Sequence, residues 1–264
     1  MSLVHINVPY SMLLKRIDFA LENRIHPEIY FSSEDLDTCH EKEASHLAET
    51  LREKGLEITF HAPFMDLSPG AADRRIKEVT VDRFSKTIHL AKIFGPKVIV
   101  FHAGYEKWKF DGTIDLWLKS SLDTWRPLVK EAEDQGLTLA IENIYEETPA
   151  PLVALLEEIG SPRFRFCLDT GHHHIFSKVP LPSWLQTLGK YLSEIHLHDN
   201  HGEMDEHLPI GEGGFDFDQL FALLSQFRLN PVYTLEPHQE DHLFRGLQAV
   251  KKYVSTKSQA PNNK

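Results

Sequence analysis

FRFCLDTGH, residues 164–172, decides how the rest of the chain is read. Phe164, Phe166, Cys167 and Leu168 make a short, mostly apolar run of the kind a buried strand carries. The run stops at Asp169, and His172 follows three residues on. A carboxylate closing an apolar strand, with an imidazole just past it, suggests a metal site at the mouth of a sheet. In both directions along the chain the design recurs. An apolar strand ends on His, Asp or Glu, and a helix begins.

The spacing predicts strands at Leu3–Val8, Glu28–Phe31, Leu56–Phe60, Lys97–Phe101, Leu137–Ile141, Arg163–Leu168, Glu194–His198 and Val232–Leu235. Between them, apolar residues recur at three- and four-residue intervals, as in Ile114, Leu118, Leu122, Trp125, Val129 and Ala132. Helices are predicted at Ser11–Arg24, from Ser32 to Gly55, and at Ser183–Tyr191, among others. Ser32 before Glu34-Asp35 is a cap with an acidic first turn, and Thr148-Pro149 is a cap followed by a first-turn proline. Lys54-Gly55, Gly95-Pro96 and Gly160 are stops.

Strands alternating strictly with helices make a parallel sheet with crossover connections. Eight such units in about 250 residues is the size of a closed barrel. The expected class is therefore α/β, a single-domain (β/α)8 TIM barrel over residues 1–254, with 255–264 a disordered tail lacking any apolar pattern. An open doubly wound sheet is the alternative, but no Gly-rich phosphate loop follows the first strand.

Bulk properties narrow the function. With 41% hydrophobic and 25% charged residues, the chain has an ordinary globular composition. No stretch approaches the roughly 20 apolar residues of a membrane span, and MSLVHINVPY lacks the features of a signal peptide. Two isolated cysteines, Cys39 and Cys167, make no disulfide framework, so a cytoplasmic setting is expected. The net charge of −11 (28 minus 39) makes nucleic acid a poor partner. Sixteen histidines without a His-rich tract point to metal ligands or acid–base chemistry.

In such barrels the active site lies at the carboxyl ends of the strands. His61, His102, Glu142, Asp169, His196 and Glu236 are expected there, from strands three to eight. His172 lies just beyond strand six, and Asp205 and His207 sit in the long loop after strand seven. Any one of these alone reads as a loop residue or a helix cap. Six consecutive strands ending this way carry the argument for metal. Mixed imidazole and carboxylate donors suit zinc, manganese, cobalt or iron better than calcium or magnesium. The expected cofactor is divalent metal, zinc first, with manganese or cobalt as alternatives. Phe64 and Trp108 are expected as apolar walls of the substrate pocket, and His198, two residues from His196 on the same strand face, is expected to bind substrate. His40, His46 and His89 read as solvated, and His173 and His174 as packing or capping residues. His201 and His238, near the rim, read as supports for ligands.

HAPF (61–64), FHAG (101–104), IEN (141–143), LDTGH (168–172), IHLHDN (195–200), DEHLPIGEG (205–213) and LEPH (235–238), in this order, resemble the xylose isomerase-like TIM barrels. That superfamily includes sugar isomerases and epimerases and the endonuclease IV group of abasic-site nucleases. The endonuclease IV resemblance implies three zinc ions. One would take His61, His102 and Glu142; a second Glu142, Asp169, His196 and Glu236; a third His172, Asp205 and His207. The epimerase resemblance implies one metal on Glu142, Asp169, His196 and Glu236, a subset of the same residues.

Two departures from the nuclease bear on substrate. After strand two the chain has Ser32-Ser33-Glu34-Asp35-Leu36-Asp37, where basic residues would contact DNA, and Phe64 replaces a tyrosine. The favoured expectation is an isomerase or epimerase of a small sugar or sugar phosphate. Glu142 and Glu236 would exchange a proton beside a metal-polarised carbonyl, and His172 would position a hydroxyl. The alternative is a zinc phosphoesterase acting on abasic-site DNA or a small phosphoester. Neither requires a membrane, and the oligomeric state is left open.

Overall fold

A computed structural model describes residues 3–254. The tail expected to be disordered, Ser255–Lys264, lies outside the described residues. Eight strands pair in parallel, each with the next, and the first closes on the last. They are β1 (Val4–Pro9), β2 (His26–Tyr30), β3 (Thr59–His61), β4 (Ile99–His102), β5 (Leu139–Glu142), β6 (Phe164–Asp169), β7 (Leu192–Leu197) and β8 (Val232–Leu235). The (β/α)8 barrel read from the alternation is the fold.

Period two along each strand sorts the side chains. Phe60, Ile99, Phe101, Ile141, Phe166, Leu168 and Ile195 belong to the main core, with helix residues such as Phe84, Trp125 and Trp184. The alternate residues Val98, Val100, Ala140 and Cys167 form a small separate cluster, which is the inside of the barrel. Continuing that inner phase upward gives His102, Glu142 and Asp169, and the same phase in the other strands gives His61, His196 and Glu236. The candidate site is thus the top layer of the barrel interior.

The outer helices are α1 (Tyr10–Lys15), α2 (Ile17–Glu22), α3 (Ser33–Thr38), α4 (Glu41–Glu53), α5 (Arg74–Phe94), α6 (Ile114–Asp134), α7 (Ala150–Ile159), α8 (Thr170–Phe176), α9 (Leu181–Leu188), α10 (Phe217–Gln226) and α11 (Glu240–Val254). None is long and apolar enough to cross a membrane, among the described residues. Several boundaries correct the sequence reading. The helix predicted over Ser11–Arg24 breaks at Arg16, and the one from Ser32 breaks at Cys39 and His40. The helix expected at Ser183–Tyr191 spans Leu181–Leu188 and continues as a 3-10 turn, Gly189–Tyr191.

The segment TGHHHIF, to which the sequence reading assigned no element, is α8. Its sequence has no apolar period to announce it. It forms because Asp169 accepts the backbone N–H of His172 at 2.6 Å and caps it.

Candidate metal centre

Asp169 does three things at once: it closes β6, caps α8 and points a carboxylate into the site. Its position is set from two sides. Asn143 at the end of β5 exchanges two hydrogen bonds with the Asp169 backbone, at 2.9 and 3.0 Å. On the other side the β6–β7 register shifts after Phe166, so Asp169 pairs with His196. Thr170 then fastens the two strand ends, its hydroxyl donating to the carbonyls of His196 (3.1 Å) and His198 (2.8 Å).

Glu142 is the hub. Its Oε2 lies 3.2 Å from His61 Nε2, 3.5 Å from His102 Nε2 and 3.5 Å from His196 Nδ1, while Oε1 lies 3.1 Å from His172 Nδ1. His196 Nδ1 is also 3.3 Å from Glu236 and 4.0 Å from Asp169. At the outer edge, Asp205 Oδ2 is 3.0 Å from His207 Nε2 and 3.4 Å from His172 Nε2. The nine residues singled out as donors in the sequence therefore form one contiguous cluster; seven line a single cavity, with Asp169 and His196 buried behind them.

The loop that delivers Asp205 and His207 is folded around one buried carboxylate. Asp199 accepts the backbone N–H groups of Asn200, Gly211, Gly213 and Phe215, at 2.9–3.0 Å. A two-residue bridge to Leu208 ties the loop back on itself. His207 adopts a left-handed φ of 49°. Its ring is sandwiched between His198 (centroids 3.9 Å) and His238 (3.6 Å), so His238 is a stacking support.

Two placements differ from expectation. Trp108, expected in the pocket wall, is 80% exposed and does not line the cavity. Charged neighbours hold that loop outward, with Lys107 bonded to Glu147 at 2.8 Å. His198, expected to face substrate, is buried; its Nε2 sits 2.9 and 3.0 Å from the two Asp169 oxygens, within the donor cluster. The carboxylates after β2 are occupied locally. Asp35 is buried in a capping box with Ser32, and Asp37 pairs with Arg83. Phe64 is where it was expected, lining the cavity and stacked on His102 at 4.2 Å.

Two buried residues near the site were not singled out. Glu28 and Glu194 sit inside the barrel beside His196. Their signal was available: a carboxylate within each predicted strand, two positions from Tyr30 and from His196 respectively.

Donor chemistry supports cation binding. His61 Nδ1–H donates to the Ala62 carbonyl (2.8 Å) and His207 Nδ1–H to the Glu236 carbonyl (3.0 Å). A carbonyl only accepts, so Nδ1 is the donor in each ring and Nε2 is the nitrogen turned to the site carboxylates, where a cation would replace its proton. His196 Nδ1 and His198 Nδ1 are buried without a hydrogen-bond partner. Among the described residues, groups of three donors with ligand atoms within 4.8 Å of one another include His61–His102–Glu142, His61–His196–Glu236, Asp169–His172–His198, His198–Asp205–His207 and Glu28–Glu194–His196.

The electrostatics are tightly linked. Burial opposes ionisation of Glu142, but His196, His102 and His172 outweigh it and hold the carboxyl well below its usual range. Burial, with His61, His172 and His196 nearby, pushes His102 down to about 3 against the pull of Glu142. Burial raises Glu236, helped by Asp169 and Glu142 and opposed by His196 and His207. The rim carboxyl and the hub carboxyl are thus driven apart, the arrangement an acid–base pair uses.

The cavity measures about 950 Å³, and Tyr30, Phe64, Ile144, Tyr145, His172 and Glu236 are among the residues that line it. The family described as xylose isomerase-like TIM barrel matches residues 28–253, nearly the whole barrel. The chain belongs to that family.

Two relatives are uncharacterised proteins of Methanocaldococcus jannaschii. One is 28% identical over 81% of this chain and 75% of its own length. The other is 31% identical over 71% and 74%. Among solved structures, a D-tagatose 3-epimerase-like protein superposes with TM-score 0.79 at 23% identity, covering 97% of this chain and 99% of that one. A Thermus thermophilus protein soaked with ZnCl2 gives 0.75 at 21%, covering 98% and 99%. The D-psicose 3-epimerase of Clostridium cellulolyticum, with D-tagatose, gives 0.77 at 14%, covering 96% and 99%. At these identities the structural likeness speaks for the barrel.

Proposed function

We propose that this family member is a divalent-metal-dependent isomerase or epimerase of a small sugar. The observation that carries the reading is the approach of Glu142 and Glu236 to one imidazole nitrogen, His196 Nδ1, at the floor of an open cavity. Glu142, Asp169, His196 and Glu236 would hold the ion, and zinc is favoured by the mixed N and O donors. When bound, the ion supplies Lewis acidity that polarises a carbonyl and acidifies the neighbouring C–H. Glu142, kept ionised, removes that proton, and Glu236 delivers one. His172, hydrogen-bonded to Glu142, orients a hydroxyl. Phe64 and Tyr30 cover the reacting carbons and keep water from them.

Lys109 is the single Lys or Arg among the described residues lining the cavity, against Asp66, Glu106 and Asp205. That balance favours an unphosphorylated sugar. The sugar-epimerase likenesses support the same substrate class.

A second reading has one specific observation behind it. The outer donors His172, Asp205 and His207 are assembled as well, as a three-ion phosphoesterase would need. The deciding experiment incubates zinc-loaded enzyme with a panel of ketoses in D2O. Deuterium should enter next to the carbonyl, and Glu236→Gln should lower that rate by about 10²–10⁴-fold. Hydrolysis of a phosphodiester without any exchange would replace the isomerase reading with the second one.

A further inference from the structure

Inside the barrel, below the donor cluster, the packing is unlike the layers of branched aliphatic residues usual in this architecture. Half the interior is Val98, Val100, Ala140 and Cys167. The other half holds Glu28, Glu194, Thr59 and Thr234, all without solvent exposure. A buried carboxylate is costly unless it is paired. Glu194 is satisfied on one oxygen, by the Thr234 hydroxyl at 2.6 Å. Glu28 is engaged on both. Asn7 Nδ2–H donates to Oε2 at 2.7 Å, and His196 Nε2 lies 3.1 Å from Oε1.

We propose that Glu28 is a positioning residue: from inside the barrel it keeps the proton of His196 on Nε2, so that Nδ1 stays bare toward the cation site. The inference rests on the metal reading above. An ionised carboxylate only accepts, so the nitrogen facing it must be the donor. Across the ring, Nδ1 has no hydrogen-bond partner, and oxygens of Glu142, Glu236 and Asp169 lie 3.3–4.0 Å away. The ring is therefore polarised, with one nitrogen turned to the interior and one to the cluster. His61 and His207 are oriented by neutral main-chain carbonyls, whereas His196 is backed by a carboxylate. A carboxylate partner raises the basicity of the free nitrogen, and losing such a partner typically weakens metal binding about 10–100-fold. Asn7 is the buttress that fixes which oxygen of Glu28 faces the ring.

The test uses the full chain and zinc alone. Long-range 1H–15N spectra of histidine-labelled protein, with His196 assigned from a His196→Gln variant, report the protonated nitrogen without altering Glu28. With zinc bound, a proton on Nε2 and none on Nδ1 is expected. Chelator competition should show zinc held about 10–100-fold more weakly by Glu28→Met. Glu28→Gln, whose amide oxygen still accepts, should recover part of that loss. A zinc-loaded wild-type ring protonated on Nδ1 would overturn the proposal, as would loss of the Nε2 proton on adding zinc. So would equal zinc affinity in wild type and a folded Glu28→Met protein, with the metal reading left standing. A wild type that takes up no zinc removes the metal reading itself, and the role of Glu28 with it.

Discussion

His5 shows what one misplaced proton costs this barrel. The ring is buried, and neither nitrogen has a hydrogen-bond partner. Burial, with His26 beside it, lowers its pKa from 6.5 to about 4, against the pull of Glu28 and Glu57. Between those two values the unfolded chain binds a proton that the folded one refuses. Stability from this residue is therefore intact above about 6.5 and falls as pH drops toward 4, by up to a few kcal/mol. Urea titrations at a series of pH values should show a shallower acid slope in His5→Leu than in wild type. An unchanged slope would mean that His5 does not titrate this way. The sequence could not reveal it: His5 in strand one and His61 in strand three look alike as letters. What separates them is height along the barrel axis, which only the register supplies.

At the level of elements, the strand-end donors were legible because period two and an abrupt polar stop are local signals. His61, His102, Glu142, Asp169, His196 and Glu236 needed only strand phase and the barrel rule to be gathered. The orientation of Trp108 and the burial of His198 depend on how loops pack, and no local pattern encodes that. Nor does any pattern encode α8, a helix of seven residues held by one cap. Its second residue is a sensitive point. A Cβ on Gly171 would lie 2.0 Å from His198 Cε1, and the buried ring has no room to retreat. Gly171→Ala should cost about 3 kcal/mol and lower zinc content, as read by denaturation and elemental analysis. The loop after β7 offers a separable test. Asp199→Ala leaves four backbone N–H groups without their acceptor and should cost at least about 2 kcal/mol. Any zinc taken up by His172, Asp205 and His207 should be lost while the Glu142 end keeps its ion. Equal loss at both ends would show that the loop does not fold as an independent unit.

For the whole molecule, the donor cluster is a tension as well as a site. Residues from β3 to β8 and two loops bring like charges together at one end of a chain that is already net −11. Binding a cation only in the folded state adds about 2.7 kcal/mol when free metal is 100-fold above its Kd. For a domain of this size that is roughly 5–10 °C in Tm. Dialysis against a chelator should lower Tm by about that much, and zinc should restore it in proportion to the logarithm of its concentration. A Tm indifferent to both would argue that the cluster is stabilised by its own protons alone.

Barrel closure and the furnishing of its mouth are physically decoupled. Every strand pairing is complete without residues 199–214, which hang from Asp199 like a pendant. Shortening that pendant would subtract one aspartate and one imidazole while leaving the cylinder sealed. Chemistries that need a lone ion and those that need several are then an insertion apart, and evolution on this scaffold can trade one for the other without refolding anything.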